Sequence, residues 1–240
     1  MLKSSITLTG HLLIKKFEAD GTLVYQTEVP NLIVTSGKEF IASRMVSGAT
    51  GFSGTAYDPM GYMAIGDSSA VSALANTSLV NELGRVAVSN VTPTGTTTLF
   101  TALFPAGTAT GNIVEAGIFN KPSTAVVKFN GATDVASNTI TYAGHGFADG
   151  DKVTYTNGGG TSIGGLTTGN TYYVIEINSS TFKLATTYAN AIANSPITLT
   201  DGVGDNHKII KGTMLARTTF PLISKSSSQS ISISWVVSVG

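Results

Sequence analysis

The chain has 240 residues, of which 42% are apolar and 12% charged, with 14 basic residues balancing 14 acidic ones and no cysteine. That apolar share is enough for packed cores and excludes a disordered chain, whereas a charged share about half the usual quarter, with abundant Gly, Ser and Thr, argues against long solvent-exposed helices. Zero net charge and the lack of a basic run exclude binding of nucleic acid by phosphate neutralisation, and the lack of Cys excludes a disulfide framework, a thiol nucleophile or a thiolate metal site.

The length fits one large β domain or two small ones. Met1-Leu2-Lys3-Ser4-Ser5 leads straight into polar alternation, so neither a signal-peptide core nor a membrane span is expected. Residues 6–34 read as a hairpin and a further strand. Asp20-Gly21 is a tight-turn signal between Lys15-Lys16-Phe17 and Leu23-Val24-Tyr25, and Leu32-Ile33-Val34 follows Pro30-Asn31. Ser36 and Glu39 have capping-box spacing, which predicts a short helix with Phe40, Ile41, Arg44 and Met45 along it. Residues 48–61 read as loop, and Met63-Ala64-Ile65-Gly66 as a short buried strand. Thr77 to Leu83 reads as one or two helical turns closed by Gly84. Strands follow at Arg85-Val86-Ala87-Val88, at Leu99 to Phe104 after a Pro-Thr-Gly turn, and at Ile113 to Phe119. At the C-terminus, Ile231, Ile233, Trp235, Val237 and Val239 alternate with Ser232, Ser234 and Ser238, which predicts one core face and one outer face.

Between Ile113-Val114-Glu115-Ala116-Gly117-Ile118-Phe119-Asn120 and Gly212-Thr213-Met214-Leu215-Ala216-Arg217 the composition changes. Short strands are expected there at Thr139–Tyr142, Lys152–Thr156, Thr171–Ile177, Thr181–Leu184 and Pro196–Leu199. Glycine-rich turns separate them, and Tyr188 to Ala193 reads as a helical turn. The two flanks read as neighbouring strands of one sheet, split by an inserted module. A loop that tolerates such an insertion lies at a surface with its ends close together. The expected organisation is a discontinuous main domain, 1–126 and 211–240, and an inserted module, 127–210. The expected fold is mainly β: an antiparallel sandwich or barrel-like main domain with two short helices, plus a small all-β module.

No pattern for catalysis is present: the chain has no Gly-x-Ser-x-Gly elbow and no pair of carboxylates at a spacing that supports glycoside hydrolysis. The expectation is therefore no enzyme, no catalytic residue, no cofactor and no metal ligand. His145 and His207 stand at opposite ends of the module and would need further ligands for zinc; both read as locally bonded loop residues. Asp149-Gly150-Asp151 and Asp201-Gly202-Val203-Gly204-Asp205 resemble calcium-loop fragments but lack the full oxygen spacing, and Asp-Gly is also ordinary turn chemistry. Asn157-Gly158-Gly159-Gly160 lacks the following helix and lysine of a phosphate loop. Three charges stand out because they sit in apolar strands: Glu115, Arg85 and Arg217. Charges in such strands face solvent or are paired. Glu115 is expected to pair with Arg85 or Arg217 across adjacent strands, setting register or interface specificity.

Met63-Ala64-Ile65-Gly66-Asp67, Leu79-Val80-Asn81-Glu82-Leu83-Gly84-Arg85, Glu115-Ala116-Gly117-Ile118-Phe119 and Gly212-Thr213-Met214-Leu215-Ala216 follow one another in an order that resembles the attachment module of bacteriophage tail-collar fibre proteins. The inserted module separately resembles a small β domain scattered through phage structural proteins, at Gly144-His145-Gly146-Phe147, Gly150-Asp151-Lys152-Val153, Gly165-Leu166-Thr167, Thr171-Tyr172-Tyr173-Val174-Ile175 and Thr181-Phe182-Lys183-Leu184-Ala185. That domain carries a catalytic-cysteine name in some annotations, which implies nothing here without a Cys.

The resemblance implies a structural virion protein made without a signal peptide, self-associating, with trimers as the family's form, and contacting neighbouring virion proteins. No shaft repeats follow Trp235. A tail- or baseplate-associated adaptor or short fibre is therefore expected, with capsid decoration as the alternative. Host surface glycans are a further candidate partner, with Tyr172, Tyr173, Tyr188 and Trp235 as stacking residues. Nucleic acid and membrane are not expected partners.

Overall fold

Alternation along the C-terminal strand organises the first sheet of the computed structural model, which describes residues 7–44, 59–122, 126–200, 202–204 and 206–240. Most of the loop expected at 48–61, together with Met45, Asp201 and Asp205, lies outside the described residues. In chain order the first elements are β1 (Leu8–Phe17), β2 (Leu23–Pro30), β3 (Leu32–Ile33), α1 (Thr35–Arg44), β4 (Tyr62–Gly66), β5 (Glu82–Ala87), β6 (Asn90–Thr94), β7 (Thr97–Phe104) and β8 (Gly111–Phe119). Then come β9 (Val126–Phe129), β10 (Val135–Ala136), β11 (Thr139–Thr141), β12 (Lys152–Thr156), β13 (Thr171–Asn178), β14 (Thr181–Ala185), α2 (Tyr188–Ile192) and β15 (His207–Lys211). The chain closes with β16 (Met214–Lys225) and β17 (Ser230–Val239). The protein is mainly β, and every strand pairing among the described residues is antiparallel.

The chain divides into two compact units. The first contains β1–β8, β16 and β17 with α1, and the chain leaves it at Pro122 and re-enters at Thr213. Its two five-stranded sheets run β2-β1-β17-β7-β6 and β3-β16-β8-β4-β5. In the first sheet Leu12, Trp235 and Phe100 form one cross-strand row and Ile14, Ile233 and Ala102 the next. All six are buried, Trp235 completely, so the predicted core face of β17 is a core face. Period-two alternation places these side chains on a single side of three adjacent strands.

The central strand of the second sheet, β8, is buried on both faces, and this positions the site. Residues 113–119 of β8 are all buried. Ala116 and Ile118 face one way; Glu115, Gly117 and Phe119 face the other. β8 pairs with β16, so the strands flanking the interruption are neighbours. Just past their ends the Asn120 N–H donates to the Thr213 carbonyl at 3.2 Å, and the Thr213 N–H returns a bond to the Asn120 side-chain oxygen at 2.6 Å.

The second unit is a seven-stranded sheet ordered β10-β11-β14-β13-β12-β15-β9. Its first and last strands pair, Val126 opposite Ile210, so this unit also brings its chain ends together. Phe129, Phe147, Tyr155, Tyr172, Val174, Phe182 and Leu184 belong to its apolar core.

Four local expectations are corrected. The stretch 77–83 is not helical: 77–81 is irregular and Glu82 begins β5. The Val80 and Asn81 N–H groups are taken by the Glu115 carboxylate, so they do not donate to carbonyls four residues back. The first unit therefore has one of its two expected helices. Ser36 does not cap α1; its hydroxyl donates to the Met214 carbonyl at 3.0 Å. Pro196–Leu199 is not a strand. Ile197 N–H bonds to the Leu184 carbonyl and Leu199 N–H to the Asn138 side chain, and only Thr200 bridges, to Gly164. Finally, the Pro-Thr-Gly turn is present but sits later: it turns at Gly95-Thr96, while Pro93 and Thr94 already pair in β6, an edge strand, where a missing N–H is tolerated.

Candidate functional site

The residues singled out by charge converge on the second sheet of the first unit. Glu115 and Arg217 are fully buried and form an ion pair at 2.7 Å. Arg217 sits opposite Gly117 in the register, so the pair is diagonal across the neighbouring strands β8 and β16. The carboxylate also accepts the N–H groups of Asn81 at 2.9 Å and Val80 at 3.2 Å. The guanidinium donates through Nε to Glu115 at 2.9 Å, through Nη1 to the Asn76 side chain at 3.1 Å and through Nη2 to the Ala70 carbonyl at 2.8 Å. Both buried charges are thus compensated and hydrogen-bonded, the condition under which such a pair is tolerated.

Every one of these further partners lies in segment 67–81, between β4 and β5. The pair's role is to hold that segment. Its ends are joined: the Asp67 N–H donates to the Asn81 carbonyl at 3.1 Å, and the Asn81 side chain donates to the Asp67 carboxylate at 2.6 Å. Asn76 folds the middle, accepting the Ala73 N–H at 2.7 Å. Leu79 packs beneath with Val34, Ala64, Phe119 and Met214.

Two glycines make room. A Cβ on Gly66 would stand 2.3 Å from the Asn81 carbonyl oxygen and 2.6 Å from Glu115 Oε1. A Cβ on Gly117 would stand 2.9 Å from the Phe119 ring and 3.0 Å from Leu79. At Gly66 the clash is with backbone and excludes a side chain; at Gly117 the Phe119 ring and the Leu79 methyl would have to shift.

Arg85 does not join Glu115. It pairs with Glu82 at 2.6 Å, donates to the Lys121 carbonyl at 2.9 Å and lies 3.6 Å above the Phe119 ring centroid. β4 separates it from β8, whereas Glu82 is on its own strand and within direct reach. Sequence reasoning missed Glu82, Asn76 and Asn81 as partners. The three-residue spacing of Glu82 and Arg85 was the only signal for any of them.

In the second unit both histidines are buried; His145 lies in the loop between β11 and β12, as expected, whereas His207 opens strand β15, and each has its own set of partners. His145 accepts the Phe147 N–H at Nδ1 (3.0 Å), so its Nε2 carries the proton donated to the Asn178 carbonyl at 2.8 Å. Its ring packs edge-on to Phe182. Tyr155 accepts the Ile163 N–H at 3.0 Å and donates to His207 Nδ1 at 2.8 Å, and His207 Nε2 donates to the Val203 carbonyl at 3.1 Å. Burial raises the Tyr155 phenol above its ordinary range.

Asp149 accepts the Glu176 N–H at 2.6 Å; Asp151 accepts the Ala148 N–H at 2.7 Å and pairs with Lys211. Both are engaged as turn and strand caps, and among the described residues no three of His, Asp and Glu converge as for a metal ion. Asn157 closes its glycine turn by donating to the Gly160 carbonyl and accepting the Gly159 N–H. Of the aromatic residues considered for glycans, Trp235 and Tyr172 are buried core. Only Tyr173 and Tyr188, edge-on at 6.2 Å, are partly exposed.

Comparison with protein-family models, with curated proteins and with solved structures gives no match.

Proposed function

We propose that this protein is a non-enzymatic structural component of a tailed-phage virion, a tail- or baseplate-associated adaptor or short fibre. One observation carries the reading. The residues that bear the tail-collar pattern (Gly66, Asp67, Asn81, Glu82, Arg85, Glu115, Gly117) bond to or make room for one another in one loop and one sheet, with Gly66, Glu115 and Gly117 buried and Asp67 and Asn81 at the surface. Residues spent on compensating each other and on backbone groups are not available to a substrate, so a pattern built from them records an architecture and not a reaction. The second unit supports the same reading, since its buried polar side chains are likewise turned to internal partners.

The test is immunogold labelling of the tailed-phage particles that encode this chain, with antibodies raised against it. Label at the tail or baseplate is expected. Label over the head moves the protein to capsid decoration, and particles without the protein overturn the virion role.

A further inference from the structure

The chain contains two Asn-Gly dipeptides, Asn130-Gly131 just after β9 and Asn157-Gly158 just after β12. This dipeptide carries a chemistry of its own. Glycine leaves its amide nitrogen unshielded, so that nitrogen can attack the preceding side-chain amide and close a cyclic imide. The two pairs are equivalent in sequence. In both, the Asn Oδ1 accepts the N–H two residues on, from Ala132 at 2.8 Å and from Gly159 at 3.1 Å. That bond curls each side chain over the peptide that follows. Proximity therefore does not separate the two sites, whereas the freedom of the glycine nitrogen does.

Gly131 is enclosed. It is buried, its N–H donates to the Gly204 carbonyl at 2.8 Å, and its carbonyl accepts the Gly202 N–H at 3.2 Å. A Cβ there would stand 2.7 Å from His207 Nε2 and 3.2 Å from the Gly202 carbonyl carbon, so the backbone has little room to turn its nitrogen toward Asn130. The Asn130 N–H is itself tied to the Asp134 carboxylate at 2.7 Å. Gly158 abuts the Asn206 carbonyl on one side but is otherwise open. Gly158, Gly159 and Gly160 are exposed, and the first two have φ of 62° and 91°, a conformation that glycine leaves as readily as it enters. The Gly158 N–H reaches the Thr156 hydroxyl at 3.3 Å, a long bond at the surface. Asn157 Nδ2, the atom that must leave, lies 3.1 Å from the Ser162 hydroxyl, a group able to pass it a proton.

We propose that Asn157 is a site of spontaneous deamidation and that the fold protects Asn130. The Gly158 nitrogen gives its proton to solvent and bonds to Asn157 Cγ. The Cγ–Nδ2 bond breaks, and Nδ2 takes up a proton and departs as ammonia. Water, the sole co-reactant, then adds to either imide carbonyl and reopens the ring, leaving an aspartyl or isoaspartyl residue. Nothing is oxidised or reduced. The product has a carboxylate where the amide donated to the Gly160 carbonyl at 2.6 Å and to Ser162. Both donors that close the turn are lost, and a negative charge faces a carbonyl oxygen. Ile163, fully buried with its N–H on Tyr155, marks where the loosening stops. One acidic group is added to a chain whose 14 basic and 14 acidic residues balance, so a neutral surface turn becomes charged as the protein ages. This chemistry is set by the turn and does not rest on the virion reading.

The experiment is incubation of the full chain in mildly alkaline buffer, folded and in urea, followed by tryptic mapping. Peptides 129–152 and 153–183 carry the two sites, and fragmentation assigns the amide-to-acid mass gain to a residue. In the folded protein, conversion at Asn157 should run roughly tenfold or more faster than at Asn130, whose glycine nitrogen must first break an enclosed backbone bond. In urea the two rates should converge. Asn157→Gln, whose longer side chain closes the ring slowly, should remove the acidic shift on ion exchange. No conversion at Asn157, equal rates at both sites in the folded protein, the same ratio folded and unfolded, or an undiminished acidic shift in Asn157→Gln overturns the proposal.

Discussion

The two units handle buried polarity in opposite ways. The first places formal charges in its interior, Glu115 and Arg217 at zero exposure and Lys225 at 2%. The second keeps its enclosed His145, His207, Tyr155 and Tyr172 hydrogen-bonded, with tautomers set by their neighbours. The difference follows from what must be satisfied. In the first unit an irregular segment lies across a sheet, and a carboxylate and a guanidinium are needed to satisfy the donors and acceptors it brings inward. In the second, each enclosed loop presents one or two backbone groups, which a phenol or an imidazole can satisfy without the desolvation cost of a charge. The Glu115–Arg217 pair is buried where a long loop must be given a single shape.

The largest expected effect of breaking that contrast comes from Glu115→Ala. It strands the Arg217 guanidinium and two backbone N–H groups, and a cost of about 3–5 kcal/mol is expected for a broken buried pair. Trp235 is the only tryptophan and lies in the core of the first unit, so denaturant unfolding followed by its fluorescence reads the effect directly. A loss below about 1 kcal/mol would show the pair to be expendable. The double replacement Glu115→Leu/Arg217→Met should cost less than the two single replacements summed, because it leaves no orphaned charge.

Tyr155→Phe probes the second unit. It removes the partner of the Ile163 N–H and of His207 Nδ1, at a cost of roughly 1–3 kcal/mol. Faster hydrogen exchange at the Ile163 amide is expected, with the Trp235 transition unmoved. A shift of that transition would mean the units do not unfold separately.

A smaller, pH-dependent effect is expected at Lys225. Its ammonium donates to the Pro105 and Thr108 carbonyls at 3.0 and 2.9 Å, and burial lowers its pKa from the ordinary lysine value. The folded state therefore holds this proton less tightly than the unfolded chain. The penalty is fully present below the folded value and is relieved as pH rises through it toward about 10.4, the unfolded value. Stability relative to Lys225→Met should rise as pH climbs from neutral toward the unfolded value of about 10.4 and level off above it. A flat difference would show that desolvation does not shift this group.

The smallest effect is expected from replacing 123–212 by a short Gly-Ser linker. Asn120 and Thr213 are already bonded to each other, so the join spans little distance. A cooperative Trp235 transition near that of the full chain is the expected outcome. Its disappearance would make the second unit part of the first unit's core.

Elements with a short repeat were legible in the sequence. The β1–β2 hairpin follows from Asp20-Gly21 between apolar strands, and the core face of β17 from two-residue alternation. Glu115 and Arg217 were recognisable as charges that apolar strands must pair. What misled was residues 77–83, where a helix-like spacing lost to a carboxylate brought in from β8, about 35 positions away. The burial of the histidines was not legible for a related reason. A His between glycines gives no sign of being enclosed, and only the surrounding Phe147, Phe182 and Tyr155 rings show that these imidazoles are buried.

By itself the sequence determined the strand periodicities, the interruption between two neighbouring strands and the short list of charges that could not stand alone. These are consequences of local patterning, which the chain carries at every position. The tertiary structure alone decided which partner each charge took, which irregular segment was frozen across the sheet and which apolar side chains were left facing out. Except for Arg85, whose partner Glu82 is three residues away, those outcomes depend on groups far apart in the chain meeting at hydrogen-bonding distance, and no local pattern encodes that meeting.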